Sequence, residues 1–172
     1  HTLGNKDRIV YIRSFSKTLL PGLRLGMAVL PEFLQKQFLD FKSSMDLNTS
    51  ILTQAALEIF LRSSMYRFHA KRTKEHYKNK MSRLQEYCKE AKGCGTWYIP
   101  QTGLYAYLET GGISSQLLER GLLDSKVLVS STNQSYLNDF EHPEGLRLCV
   151  CNAEDQEIEK AVQIIETKLT EF

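Results

Sequence analysis

The chain has 172 residues, 42% of them hydrophobic and 24% charged, with a formal charge of +2 at pH 7. These are ordinary values for a folded globular protein, and so small a charge gives no argument for nucleic acid or an anionic membrane as partner. No apolar run approaches the ~20 residues of a membrane span, and the opening segment, residues 1–8, has no apolar stretch of the kind a secretory leader carries.

The chain opens without a methionine and enters a strand almost at once, as a fragment of a longer protein would. That strand is expected over Ile9–Phe15, and its nearly continuous apolar run suits a position buried on both faces of a mixed or parallel sheet. A second strand is expected over Leu23–Leu30, stopped by Pro31. From Glu32 to Ser44 the apolar residues Phe33, Leu34, Phe38, Leu39 and Phe41 recur at helical spacing, with Pro31 at the helix start. Asn48-Thr49 offers a cap for a second helix that runs through Leu52, Ala55, Ile59 and Phe60 to about Arg62.

A third helix is expected from Met65 to Ala91, and ~25 residues is a length that suits a bridge between two domains. Its basic residues, among them Lys71, Arg72, Lys74, Lys78, Lys80 and Arg83, read as a solvated face, because acidic residues are interspersed and no aromatic stacking pattern accompanies them. His69 and His76 lack the carboxylate or cysteine that would complete a ligand set, so no metal site is expected.

After Gly93-Cys94-Gly95 the period changes. Short strands are expected over Thr96–Ile99 and Leu104–Leu108, then a helix over Ser114–Arg120 ending at Gly121, a strand over Val127–Val129, and a polar loop from Ser130 to Pro143. Gly145–Cys151 reads as a strand on which Arg147, Cys149 and Cys151 share a face. Ala153–Leu169 closes the chain as an amphipathic helix with Asn152 as candidate cap. The four cysteines, Cys88, Cys94, Cys149 and Cys151, lack paired metal-ligand spacing and read as reduced thiols of a cytosolic protein. For Cys149 and Cys151 a buried apolar role is expected. The whole reads as α/β, with an α+β region following the long helix.

The chemistry concentrates between the first two strands, in Ser14-Phe15-Ser16-Lys17-Thr18-Leu19-Leu20-Pro21-Gly22-Leu23-Arg24-Leu25-Gly26. A lysine at the end of a buried strand can be desolvated, and its neutral amine can attack an aldehyde to form a Schiff base. Serine hydroxyls donate to phosphate oxygens, a guanidinium grips phosphate with two parallel hydrogen bonds, and Pro21-Gly22 supplies a sharp turn. The cluster suits a phosphorylated carbonyl ligand. A solvated surface loop is the plainer reading, but ordinary loops do not need Ser, Lys and Arg at these spacings beside an apolar strand.

The pattern S-x-S-K-x-x-x-P-G-L-R-x-G resembles the pyridoxal-phosphate lysine motif of fold-type I aminotransferases and of the MocR (GntR-type) transcription regulators, which carry an aminotransferase-like domain behind a winged-helix DNA-binding domain. Pro100-Gln101-Thr102-Gly103-Leu104-Tyr105-Ala106-Tyr107 is similar to a segment of the aminotransferase small domain. Gly145-Leu146-Arg147-Leu148 is similar to the late strand whose arginine receives a substrate α-carboxylate. The resemblance implies that Lys17 is the catalytic Schiff-base lysine, that Ser14, Ser16 and Arg24 join it in binding pyridoxal 5'-phosphate, and that Arg147 binds the carboxylate of an amino acid. It implies the C-terminal part of a fold-type I domain: a remnant of the large domain with the lysine motif over 1–64, an interdomain helix over 65–92, and an α+β small domain over 93–172. It further implies a cytoplasmic protein that is a homodimer at full length, reaches DNA only through a domain absent from this chain, and takes an amino acid or amine as ligand. An effector-sensing domain of a regulator, a stand-alone aminotransferase of the aminoadipate type, and an inactive folded fragment all remain open. The family's ring-stacking aromatic and ring-nitrogen aspartate match no position here, so the fragment alone is expected to be a poor catalyst.

Overall fold

A computed structural model describes residues 6–90 and 93–171. The chain packs as two units, His1–Lys71 and Arg72–Phe172, and the division falls within one helix. In the first unit, β1 (Tyr11–Ser14) and β2 (Gly26–Val29) form an antiparallel pair with Tyr11 opposite Val29 and Ser14 opposite Gly26. Helices α1 (Glu32–Asp46) and α2 (Ile51–Arg62) follow, and α3 (Met65–Cys88) begins.

The expectation that the first strand is buried on both faces does not hold among the described residues. β1 pairs only with β2, and Ile12 is 75% exposed. Phe15 and Leu25, just past the paired ends, are the buried hydrophobics here, and Phe33, Phe41, Met45 and Ile51 stand open. The cap of α2 is Ser50, whose Oγ accepts from the Thr53 N–H, and not Asn48-Thr49. α3 ends at Cys88; Ala91, its expected end, lies outside the described residues.

The second unit holds a four-stranded antiparallel sheet. Its order is β3 (Thr96–Tyr98), β4 (Tyr105–Glu109), β6 (Gly145–Cys149), β5 (Ser130–Ser131). Alternation divides the two central strands: Ala106, Leu108, Leu146 and Leu148 are buried, while Tyr105, Tyr107, Arg147 and Cys149 belong to the opposite face. Leu108 and Leu146, directly opposite each other, are fully buried with Leu118 and Leu122 of α4 (Ser115–Asp124) and Ile165 of α5 (Asp155–Glu171). Met81 and Leu84 of α3 pack with Ala106, Val150, Ile158 and Val162 in a second cluster.

Four local expectations are corrected here. α4 runs through Gly121 to Asp124, because Leu118 and Leu122, one turn apart, are both buried in the core. Its end is a Schellman closure: Lys126 takes the left-handed conformation (φ 64°), its N–H bonds Leu123 O, and the Val127 N–H bonds Leu122 O. The helix end thus consumes the Val127 donor, so no strand forms over Val127–Val129, and pairing starts at Ser130. Cys149 is exposed, not buried, and Cys151 is half-buried. At the start of α5 the Glu154 N–H is satisfied by Glu157 Oε2 at 2.7 Å, in place of a cap from Asn152.

Lys80 departs from the solvated face expected of α3. Its ammonium donates to three carbonyls, Val150 O (3.0 Å), Cys151 O (2.9 Å) and Ala153 O (2.8 Å), and so clamps the bend between β6 and α5. Lys80→Met keeps the aliphatic stem and removes the donors. We expect it to destabilise this unit by about 1–2 kcal/mol, read as a lower urea midpoint in the fluorescence of Trp97, the single tryptophan.

Candidate functional site

The β1–β2 connection is held by hydrogen bonds of its own. One step past the ladder, the Phe15 N–H bonds Leu25 O at 3.0 Å, and Phe15 O accepts from the N–H groups of Thr18 (3.2 Å) and Leu19 (2.9 Å). A 3-10 turn over Pro21–Leu23 follows, closed by the Arg24 N–H on Pro21 O at 3.3 Å. Arg24 ends it in the left-handed region, φ 51° and ψ 37°, a conformation uncommon for a residue with a side chain. Phe15 and Leu25 point into the unit as anchors. Their neighbours Ser14, Lys17 and Arg24 are exposed and Ser16 is half-buried, so four of the five site residues named from the sequence lie on the accessible part of one connection. Ser14 Oγ accepts from the Ser16 N–H at 3.3 Å, which leaves its O–H to donate outward.

Three supporting residues escaped the sequence reading. Arg13 donates to the Tyr66 hydroxyl, and its guanidinium lies 5.5 Å from the Phe15 ring centre and 5.8 Å from that of Tyr66. His69 Nε2 lies 3.2 Å from Thr18 O. Tyr66 and His69 thus pin both ends of the lysine-bearing segment to the start of α3. Two cavities among the described residues of this unit are lined largely by apolar side chains. One of about 800 Å³ is lined in part by Phe15, Leu25, Met27 and Phe38, and one of about 390 Å³ by Leu19, Leu23, Phe60 and His69. Neither Lys17 nor Arg24 lines these two cavities, and both residues are exposed.

Arg147 belongs to the second unit, at the middle of β6. It stands opposite Tyr107 on one side and Ser130 on the other, with its guanidinium 5.2 Å from the Tyr105 ring centre. It lines a polar cavity of about 610 Å³ with Gln116, Arg120, Ser130, Thr132 and Gln134. One wall of that cavity is tied to a buried polar network. Ser115 Oγ, fully buried, lies 2.8 Å from Ser131 Oγ and donates to Glu144 Oε2 at 2.5 Å; the Ser115 N–H reaches the same oxygen at 2.7 Å. Asn133 Nδ2 donates to both Glu144 oxygens at 3.3 Å. The Ser115 hydroxyl and N–H, then Asn133, hold the Glu144 carboxyl below its ordinary range, against an opposing effect of burial. Alternation in Tyr105-Ala106-Tyr107-Leu108 could have put Tyr105 and Tyr107 on one face of the strand, though not which later residue they meet; nothing local signalled Glu144.

The sequence profile described as "Aminotransferase class I and II" matches residues 1–165. Among curated sequences, the chain is 31% identical over 170 residues to the uncharacterized HTH-type transcriptional regulator YcxD of Bacillus subtilis (strain 168), covering 95% of this chain and 38% of that one. It is 28% identical over 108 residues to the HTH-type transcriptional regulator NorG of Staphylococcus aureus (strain USA300), covering 62% of this chain and 24% of that one. The chain thus spans between about a quarter and two-fifths of these relatives. Among solved structures, the kynurenine aminotransferase of Pyrococcus horikoshii, crystallised in complex with PMP, superposes with a TM-score of 0.90 at 22% identity, over 98% of this chain and 42% of that one. LysN, the α-aminoadipate aminotransferase of Thermus thermophilus, gives 0.83 at 22% identity, over 94% and 42%. The fold is that of fold-type I aminotransferases, matched over part of their length, and the chain belongs to the aminotransferase class I and II family.

Proposed function

We propose that this chain is the lysine-bearing part and small domain of a pyridoxal-phosphate-binding, aminotransferase-like domain that serves as the effector sensor of a MocR-type transcription regulator. The observation that carries the reading is the connection from Ser14 to Gly26, which anchors itself on Phe15 and Leu25 and keeps an amine, two hydroxyls and a guanidinium accessible. That donor set fits a phosphorylated aldehyde. Ser14, Ser16 and Arg24 would take the phosphate, the hydroxyls as single donors and the guanidinium as a fork, and Lys17 would hold the aldehyde covalently. Bound there, the cofactor supplies an electron sink to an amino acid. With the cofactor in place, Lys17 would be the amine positioned to carry a proton to and from a ligand carbon. Arg147, whose planar guanidinium lies over the Tyr105 ring at 5.2 Å, would offer a ligand α-carboxylate two parallel donors.

The regulator reading is supported by the relatives: YcxD and NorG are both named HTH-type transcriptional regulators. On this reading DNA is bound by a domain outside this chain, the full-length protein is a cytoplasmic homodimer, and the three segments proposed for this chain are 1–64, 65–92 and 93–172. No helix among the described residues is long and apolar enough to cross a membrane. A second reading, a stand-alone amino-acid aminotransferase, draws on the structural likeness to enzymes such as LysN.

The test is to mix the purified chain with pyridoxal phosphate, reduce with borohydride and map the label. Label concentrated at Lys17 supports the reading. Label spread evenly over surface lysines removes its basis. Turnover of an amino acid and a keto acid by the longer protein, without ligand-dependent DNA binding, would move the assignment to the enzyme. Arg24→Ala should weaken cofactor capture by about ten- to a hundredfold, the loss of one charge-assisted phosphate contact of about 1.5–3 kcal/mol, measured as the pyridoxal phosphate concentration giving half-maximal trapping.

A further inference from the structure

Cys149 and Cys151 are two residues apart, and their sulfurs are 3.3 Å from each other. On an extended strand two such residues share a face with their Cα atoms roughly 6.4–6.8 Å apart, well beyond this sulfur separation. Here the strand ends at Cys149 and the chain bends at Cys151, and Lys80 holds that bend through the carbonyls of Val150, Cys151 and Ala153. Cys149 is exposed on the open face of β6, opposite Tyr105, while Cys151 is half-buried. The Tyr77 hydroxyl is raised above its ordinary range by burial first and then by the Cys151 sulfur, which places that phenol beside the inner thiol. Cys88 makes the contrast: burial, with some help from Glu166, pushes its thiol up to about 12, which leaves it inert at neutral pH.

We propose that Cys149 and Cys151 are a reversible dithiol–disulfide site, with Cys149 as the outer, attacking thiol and Cys151 as the inner, resolving one. The oxidant is a low-molecular-weight disulfide such as glutathione disulfide. The Cys149 thiolate attacks one glutathione sulfur, a Cys149–glutathione bond forms, and one glutathione leaves as thiolate. The Cys151 thiolate then attacks the Cys149 sulfur, the internal bond forms, and the second glutathione leaves. The two protons of the cysteines pass to the two glutathione thiolates, so two protein thiols are oxidised and one glutathione disulfide is reduced. Closing the sulfurs to the ~2.05 Å of a disulfide requires about 1 Å of approach. The site lies two residues beyond Arg147 and shares Tyr105 with it, since Tyr105 faces Cys149 across the strands and lies against the Arg147 guanidinium. The proposal stands whether or not Lys17 takes a cofactor.

The test uses the whole chain, incubated with glutathione disulfide, blocked with an alkylating agent and digested with trypsin, which cuts after Arg147 and Lys160 and leaves both thiols in one peptide. The expected product is that peptide lighter by two hydrogens and carrying neither alkyl nor glutathione, restored to two alkylatable thiols by reduced glutathione. In Cys151→Ser the second attack is impossible, and Cys149 should retain one glutathione. A wild-type peptide bearing two alkyl groups, or a glutathione that persists on Cys149 beside an alkylated Cys151, would overturn the proposal. So would a Cys151→Ser chain that takes up no glutathione at Cys149.

Discussion

Replacing Lys17 by alanine should reduce borohydride-trapped pyridoxal phosphate to the level that scattered surface lysines give. Lys17 follows Phe15 by two residues, and Phe15 is the most constrained point of the connection: buried at 4%, bonded through its N–H to Leu25 O and through its O to the N–H groups of Thr18 and Leu19. The amine therefore starts from a fixed backbone, whereas Lys71, Lys74 and Lys78 of α3 are exposed along a helix that presents no such cluster of hydroxyls beside them. A preorganised nucleophile beside phosphate donors gains from proximity what a solvated amine lacks. Lys17→Arg separates the two contributions. It keeps the positive charge and cannot form the covalent bond, so trapping should fall to that same background while non-covalent binding of pyridoxal phosphate, competed by inorganic phosphate, persists. Undiminished label in Lys17→Ala would show that another lysine captures the aldehyde, and the assignment built on this connection would fall with it.

How much of this was readable in advance depends on how local each feature is. The lysine connection is legible because its chemistry lies between Ser14 and Gly26, with two anchoring apolar residues and a Pro-Gly turn inside the same stretch. The helices α1, α2, α3 and α5 are legible by period. What the sequence did not reveal depends on partners far along the chain. Tyr66 and His69 buttress residues some fifty positions earlier, and neither has a local mark of that role. The apolar run Ile9–Ile12 signals a strand but cannot say what covers it; among the described residues β1 has one neighbour, β2, and Ile12 stands open. Gly121 looked like a helix stop because glycine favours that place, but burial of Leu122 outweighs a glycine cost of about 1 kcal/mol and carries α4 onward. The exposure of Cys149 was within reach: it shares a face with Arg147, and Leu146 and Leu148 are the stronger claimants for the core.

The acid stability of the second unit should be governed in large part by Glu144. Its carboxylate accepts the hydroxyl and backbone N–H of Ser115, a fully buried residue at the first turn of α4, where the helix dipole also favours negative charge. Asn133 completes the shell, and His142, when charged, further favours the ionised form. Glu144→Ala removes the acceptor and leaves the Ser115 N–H without its partner in the interior, so we expect a loss of about 3 kcal/mol, the desolvation cost of an orphaned donor plus that of a charged hydrogen bond. Glu144→Gln retains an oxygen for one of those donors and should lose less, about 1–2 kcal/mol at neutral pH. The pH dependence separates the charge from the shape. The folded carboxyl is depressed below its ordinary 4.5, so its stabilising contribution is fully present above that value and is lost as the pH falls through the lower, folded one. The Glu144→Gln chain should therefore show a flatter decline of the Trp97 unfolding midpoint below pH 4.5 than the wild type. Parallel acid limbs for the two proteins would mean that Glu144 is held by shape alone, and that the hydrogen bonds from Ser115 do not favour its charged form.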